Sequence, residues 1–272
     1  FFFGGIFMAI RMIVTDLDGT LLNSRFRIPA ENKAALQAAA AKGVFVTLAT
    51  GRMYSSARPY ALELGIDAPI ITYNGAVVKS VQGEVLFSSY LAADTVAAVL
   101  RYCFARQWYV QLYSGGELYY AVSTAPARAY EKAAGVKGTA VGEAGLLART
   151  QEVPKLLVVV KDPSETDAAV ETLSQAFTGQ ITAMKSNPTY IEVIHHGVSK
   201  GAALLALAAQ RGIRSEEIMA LGDSNNDLSM LRAAGLGVAM GNAMADVKAA
   251  ADVVTADCEA GGLAAAVRQY VL

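Results

Sequence analysis

Short, nearly unbroken apolar runs at 10–15, 44–49 and 69–73 alternate with stretches of helical periodicity at 29–42 and 54–64. Runs that are apolar at every position predict strands buried on both faces, as in a parallel sheet covered by helices. Pro29 stands early in the first helix, and Gly43 and Gly65 follow the two helices, the usual punctuation of helix ends. Residues 76–78 and 84–87, separated by a polar turn containing Gly83, predict a hairpin.

The pattern changes between about 89 and 194. Helix-like stretches at 94–106, 126–134 and 164–177 interleave with strand-like ones at 109–113, 118–122, 156–160, 181–185 and 190–194. Tyrosines concentrate here and the strands read as half-buried, which predicts a mixed or antiparallel sheet with helices on one side. From Ser199 the βαβ rhythm resumes, with helices at 199–210 and 225–233, strands at 218–221 and 237–240, a short helix near 245, a small strand at 253–254 and a last helix. The expected fold class is α/β. A Rossmann-like, doubly wound parallel-sheet core is built from 8–88 plus 196–272, and an inserted α+β domain occupies 89–195. The Phe-rich residues 1–7 read as an appended or disordered leader, with Met8 or Met12 as a natural start.

Composition narrows the class. A chain of 272 residues, 54% hydrophobic and 17% charged, can bury a sizeable core. A formal net charge of -1 provides no basic excess for broad nucleic-acid or membrane-surface binding. No apolar run approaches the ~20 residues of a membrane span. Cys103 and Cys258 lie far apart without metal-ligand spacing and read as buried free thiols in a reducing, cytoplasmic setting.

Four sites recur at strand ends or helix starts: Asp16-Leu17-Asp18-Gly19-Thr20, Thr50-Gly51-Arg52, Lys200, and Gly222-Asp223-Ser224-Asn225-Asn226-Asp227. In a doubly wound sheet the first strand and the 218–221 strand flank the point where strand order reverses, so Asp16 and Asp223 are expected to face one another. Lys200 heads a helix, where a cation opposes the dipole unless an anion such as phosphate sits nearby. Carboxylates ~4 Å apart repel by ~4 kcal/mol at an effective dielectric of ~20. Several at one sheet edge call for a cation or for raised pKa values, and hard oxygen ligands beside a phosphate favour Mg²⁺.

These motifs, in this order and followed by the stretch from Gly235 to Ala243, resemble the haloacid-dehalogenase-like (HAD) phosphohydrolases, specifically the Cof-type subgroup with a large α/β cap (type IIB). The resemblance covers 10–272. It implies a Mg²⁺-dependent phosphatase in which Asp16 attacks phosphorus to form an aspartyl-phosphate and Asp18 serves as acid, then base. It further implies that Mg²⁺ is held by Asp16, the Asp18 carbonyl and Asp223. On the same resemblance Asp227 is expected behind them, supporting the metal's water shell or Lys200. The resemblance also implies that Thr50, Gly51 and Lys200 bind the phosphoryl oxygens with help from Asn226, while Arg52 and Asn74 face the cap and the substrate. The expected partner is a small phosphorylated metabolite: a sugar phosphate, a phosphorylated cofactor or a nucleotide. A homodimer is left open. A sugar phosphomutase and a non-catalytic phosphoacceptor signalling module are the rival readings. Within the insert, Trp108 and most tyrosines read as core, Tyr113, Tyr190 and Lys185 as candidate substrate contacts, and His195-His196 as part of a connecting loop.

Overall fold

The computed structural model describes residues 9–272; the expected leader lies outside the described residues. The chain begins with β1 (Met12–Thr15), α1 (Ala30–Ala41), β2 (Phe45–Leu48), α2 (Tyr54–Leu64), β3 (Ile70–Thr72), β4 (Val77–Lys79) and β5 (Val85–Ser88). It continues through α3 (Ala93–Ala105), β6 (Tyr109–Ser114), β7 (Glu117–Tyr120), α4 (Ala125–Ala134), β8 (Gly138–Ala140), α5 (Gly142–Leu147), β9 (Lys155–Val159), α6 (Thr166–Ala176), β10 (Ile181–Asn187) and β11 (Tyr190–His195). It closes with α7 (Lys200–Gln210), β12 (Ile218–Gly222), α8 (Leu228–Ala233), β13 (Leu236–Ala239), α9 (Ala245–Ala250), β14 (Val253–Val254) and α10 (Gly262–Tyr270).

Two compact units result. Among the described residues, the first holds the chain up to Ala49 with Tyr60–Ala68 and Gly201–Leu272; the second holds Thr50–Pro59 and Pro69–Lys200. The first unit is built on a parallel sheet in the order β14-β13-β12-β1-β2. All residues of β1, β12 and β13 are buried, which is why these segments read as continuous apolar runs.

In the second unit, six strands run in the order β10-β11-β9-β6-β7-β8, antiparallel except for the β7–β8 pair. Side chains alternate across this sheet. Val110, Leu112, Leu156, Val158, Ile191 and Val193 form an aliphatic face, packed against α3, α5 and α6 through Val99, Leu100, Leu146 and Leu173. Tyr113, Leu157 and Val159 turn the other way and pack with Met53, Tyr73, Ala76 and Val77. The helices cover one side as expected, but β6, β9 and β11 are buried on both faces rather than half-buried, because a second, aromatic layer packs on the other face.

Two differences from the sequence reading have local causes. The 69–73 run was expected in the parallel sheet, but β3 pairs antiparallel with β4 in a separate sheet, β3-β4-β5. Tyr73, Asn74 and Gly75 take successive positive φ values of 50°, 57° and 100°, which folds the chain straight back. The stretch at 50–88 is accordingly shared between the two units. The elements β8 and α5 went unread because one has three residues and the other carries two glycines in six.

One buried side chain ties down the loop after β1. Asn32, fully buried, donates from Nδ2 to the Leu21 carbonyl (3.1 Å), while its Oδ1 accepts from the Ala264 N–H (3.1 Å). Asn32→Ala leaves both backbone groups unpaired and should cost on the order of 2 kcal/mol, read as a lower urea midpoint at unchanged slope. Both cysteines are free and buried. Burial pushes the Cys103 thiol up to about 12, and burial with the Asp257 charge pushes Cys258 up to about 11. Since the thiolate is the reactive form, iodoacetamide at pH 8 should leave both thiols of the folded chain unlabelled and label both after unfolding.

Candidate active site

The reversal of strand order falls between β1 and β12, since β2 lies on one side of the pair and β13 and β14 on the other. Their register runs from Met12 opposite Ile218 to Thr15 opposite Leu221, and the Asp16 N–H continues it to the Leu221 carbonyl (3.0 Å). Asp16 and Asp223 therefore leave adjacent strand tips, where open α/β sheets bind ligands. Oxygens of Asp16, Asp223 and Asp227 all lie within 4.8 Å of one another. Asp16 is 5% exposed and Asp227 is fully buried. At that separation each charged pair repels by about 3 kcal/mol at an effective dielectric of ~20.

Local hydrogen bonds hold the carboxylates in place. Thr20 Oγ1 donates to Asp223 Oδ1 (3.0 Å). Asp227 Oδ2 accepts from the backbone N–H groups of Asp223 and Ser224 (3.0 Å each), closing the turn that opens the helix. Gly19, at φ 76°, brings its Cα so near Asp223 that a Cβ there would stand 2.5 Å from Oδ2. Only a residue without a side chain fits both the angle and the approach. Three convergent carboxylates with a glycine-lined approach are a donor set suited to a hard divalent cation. The Asp18 side chain is not part of this cluster; its residue forms a bridge with Leu22 at the start of the loop.

Asn242 lies in the 235–243 stretch that carries the resemblance, but the sequence assigns it no role. Its Nδ2 donates to the Gly19 carbonyl (2.8 Å) and its Oδ1 accepts from the Cys258 N–H (3.0 Å), so it braces the turn carrying Asp16 and Asp18. The available signal was the Gly-Asn pair just past β13. Asn226 Oδ1 accepts from Ser224 Oγ (2.6 Å) within the same turn as Asp223.

The remaining candidates belong to the second unit. Thr50 Oγ1 accepts from the Arg52 N–H (3.1 Å), leaving its own proton to donate. The Arg52 guanidinium, 8% exposed, donates to Ser56 Oγ (3.0 Å). Asn74 donates through Nδ2 to Glu192. Lys200 is fully buried at the first position of α7. Of the insert's candidate contacts, Tyr113 is fully buried and Lys185 Nζ pairs with Asp167 (2.9 Å). Tyr190 packs edge-on against Tyr130, with ring centroids 6.5 Å apart. Trp108 packs against the aliphatic core, as expected. His195 is the last residue of β11, opposite Ile181, rather than part of a loop, because the β10–β11 ladder extends that far.

An open parallel sheet with carboxylates at the strand-order reversal places the chain among α/β proteins that bind their ligands at that edge. Residues 13–267 match the family profile of haloacid dehalogenase-like hydrolases, and the chain belongs to that family. It is 33% identical to the 5-amino-6-(5-phospho-D-ribitylamino)uracil phosphatase YcsE of Bacillus subtilis over 97% of this chain and 96% of that protein. It is 30% identical to the HMP-PP phosphatase of Serratia proteamaculans, over 88% and 86%. Among solved structures, the HAD subclass IIB sugar phosphatase BT4131 superposes with a TM-score of 0.86 at 27% identity, covering 96% of this chain and 98% of that one. No helix among the described residues is long and apolar enough to cross a membrane.

Asp223→Asn removes two of the three repulsive pairs while keeping an acceptor for Thr20. In metal-free buffer the variant should melt a few degrees above the parent. Added Mg²⁺ should raise the parent's melting temperature and leave the variant's unchanged; differential scanning fluorimetry with and without chelator reads both.

Proposed function

We propose that this protein is a Mg²⁺-dependent phosphatase that hydrolyses small phosphomonoesters, sugar phosphates or phosphorylated cofactors, through an aspartyl-phosphate on Asp16. The observation that carries this reading is the convergence of Asp16, Asp223 and Asp227 where the sheet's strand order reverses.

Asp16, the Asp18 carbonyl and Asp223 would hold the Mg²⁺ ion, with Asp227 fixing the Asp223 turn through the two N–H groups it accepts. The ion, when bound, offsets the crowded negative charge and polarises the phosphoryl oxygens. An Asp16 oxygen attacks phosphorus and the P–O bond to the leaving group breaks, splitting one hard displacement into two easier ones. Asp18 gives its proton to the departing oxygen, then takes one from the water that hydrolyses the acyl phosphate. Thr50 serves as a hydroxyl donor to the phosphoryl group, since the bond it accepts from the Arg52 N–H leaves its own proton for donation. Lys200 supplies positive charge, and Gly51 and Asn226 supply further donors. Arg52 and Asn74 reach toward the substrate, and the inserted domain at 89–195 acts as the cap that selects it. The substrate class is supported by the relatives, whose names specify a phosphorylated ribitylaminouracil and a sugar phosphate.

The test is phosphate release from p-nitrophenyl phosphate and from a panel of sugar phosphates and phosphorylated cofactors. Asp16→Asn should abolish turnover, and a variant as fast as the parent overturns the nucleophile assignment. Asp18→Asn should slow turnover by roughly 10²- to 10⁴-fold. Chelation should stop the parent enzyme and Mg²⁺ should restore it; full activity in excess chelator defeats the metal assignment.

A further inference from the structure

A buried ion pair in the second unit lies outside every motif read from the sequence. Lys155, at the start of β9, is 2% exposed, and Glu192, on the neighbouring strand β11, is 8% exposed. Glu192 stands opposite Leu157, two residues from Lys155, so both side chains share the aromatic face of the six-stranded sheet. Their charged ends lie 3.2 Å apart, with Lys155 Nζ 5.0 Å from the centre of the Tyr113 ring.

What the pair touches gives it meaning. Lys155 Nζ donates to the Gly51 carbonyl (2.6 Å), and Glu192 Oε2 accepts from Asn74 Nδ2. The three carbonyls of the Thr50-Gly51-Arg52 turn then have three different donors. The Asn74 N–H serves Thr50 (3.0 Å), the Tyr73 N–H serves Arg52 (3.1 Å), and the Lys155 ammonium serves Gly51 between them. The same carboxylate also lies against the turn. A Cβ at Gly51 would meet both Glu192 oxygens at 3.2 Å and Asn74 Oδ1 at 3.0 Å, so a larger residue there would push those side chains aside by a few tenths of an ångström. Tyr73 and Asn74, both at positive φ, are a costly backbone choice that the surroundings must hold.

We propose that Lys155 and Glu192 are positioning residues for the phosphate-binding turn: the pair fixes the Gly51 carbonyl and the Asn74 side chain, and thereby the direction in which Thr50 presents its hydroxyl. This rests on the functional reading above. Neither side chain touches the reacting atoms; each acts through Gly51 or Asn74. A buried pair taken whole is a weak stabiliser, but removing one partner strands the other charge and lowers stability, so the pair's role is read in phosphate binding and turnover of the folded protein rather than in the melting temperature.

The experiment compares the full-length parent with Lys155→Met, Glu192→Gln, the double variant, and Thr50→Ala as a reference for a lost phosphate donor. It measures kcat and KM for p-nitrophenyl phosphate, inhibition by inorganic phosphate, and the melting temperature. Folded Lys155→Met should lose roughly ten- to hundredfold in both phosphate affinity and kcat/KM, the scale of a small misplacement at a reacting group. The double variant should lose no more than the worse single variant, because the residues act as a unit. A purely structural pair would lower the melting temperature and leave the phosphate inhibition constant of the folded fraction alone. If Lys155→Met does not fold, the near-isosteric Glu192→Gln carries the test, with at least a threefold loss of phosphate affinity expected. Folded variants within twofold of the parent overturn this proposal while the parent's own turnover sustains the phosphatase reading. A parent that neither hydrolyses aryl phosphate nor is inhibited by inorganic phosphate overturns both.

Discussion

The pairing of β1 with β12 is the constraint on which the rest of the structure depends. Strand order reverses at that pair, and three carboxylates are left within 4.8 Å of one another. Such crowding is unfavourable in a folded chain without countercharge. The surrounding residues hold it in place. Thr20 and two backbone N–H groups satisfy oxygens of Asp223 and Asp227, Asn242 braces the turn through Gly19, and Asn32 anchors the loop that follows. None of these residues supplies chemistry, yet each narrows where the carboxylates can go. Local stability is exchanged for a fixed constellation, as is usual at functional sites.

The second unit solves a different problem with the same alternation rule. One face of its large sheet is aliphatic and covered by helices; the other carries tyrosines, Lys155 and Glu192. The buried ion pair is accommodated on this face because Tyr113 offers its ring to the Lys155 ammonium and Asn74 offers an amide to Glu192. The sheet is thereby two-sided in function: one surface makes the core, and the other reaches the turn at residues 50–52.

How much of this was legible follows from how far each signal extends along the chain. Continuous apolar runs gave the parallel strands, and the residues at their tips gave Asp16 and Asp223, since strand ends and turns are local features. The reversal of strand order followed from the βαβ rhythm. The pairing of β3 was not legible, because it hinges on a positive φ at Tyr73 as well as at Asn74 and Gly75; Asn-Gly signals a turn, but a bulky aromatic does not announce that conformation. Lys155 and Glu192 were invisible for another reason. Each sits alone in an apolar strand and takes its partners from segments far away; Lys155 meets Gly51 across 104 positions. Asn242 lay in plain view beside Gly241, but its role depends on a contact with Gly19 that no spacing rule encodes.

The splitting of 50–88 between units has a practical consequence for recombination among relatives. Thr50–Pro59 is grouped with Pro69–Lys200, and the Gly51 carbonyl is capped by a lysine from β9. A chimera that exchanges only 89–195 would therefore separate that lysine from the loop it is matched to. Grafts that carry the 50–59 segment along with the insert preserve the match, so the transferable piece is a discontinuous one.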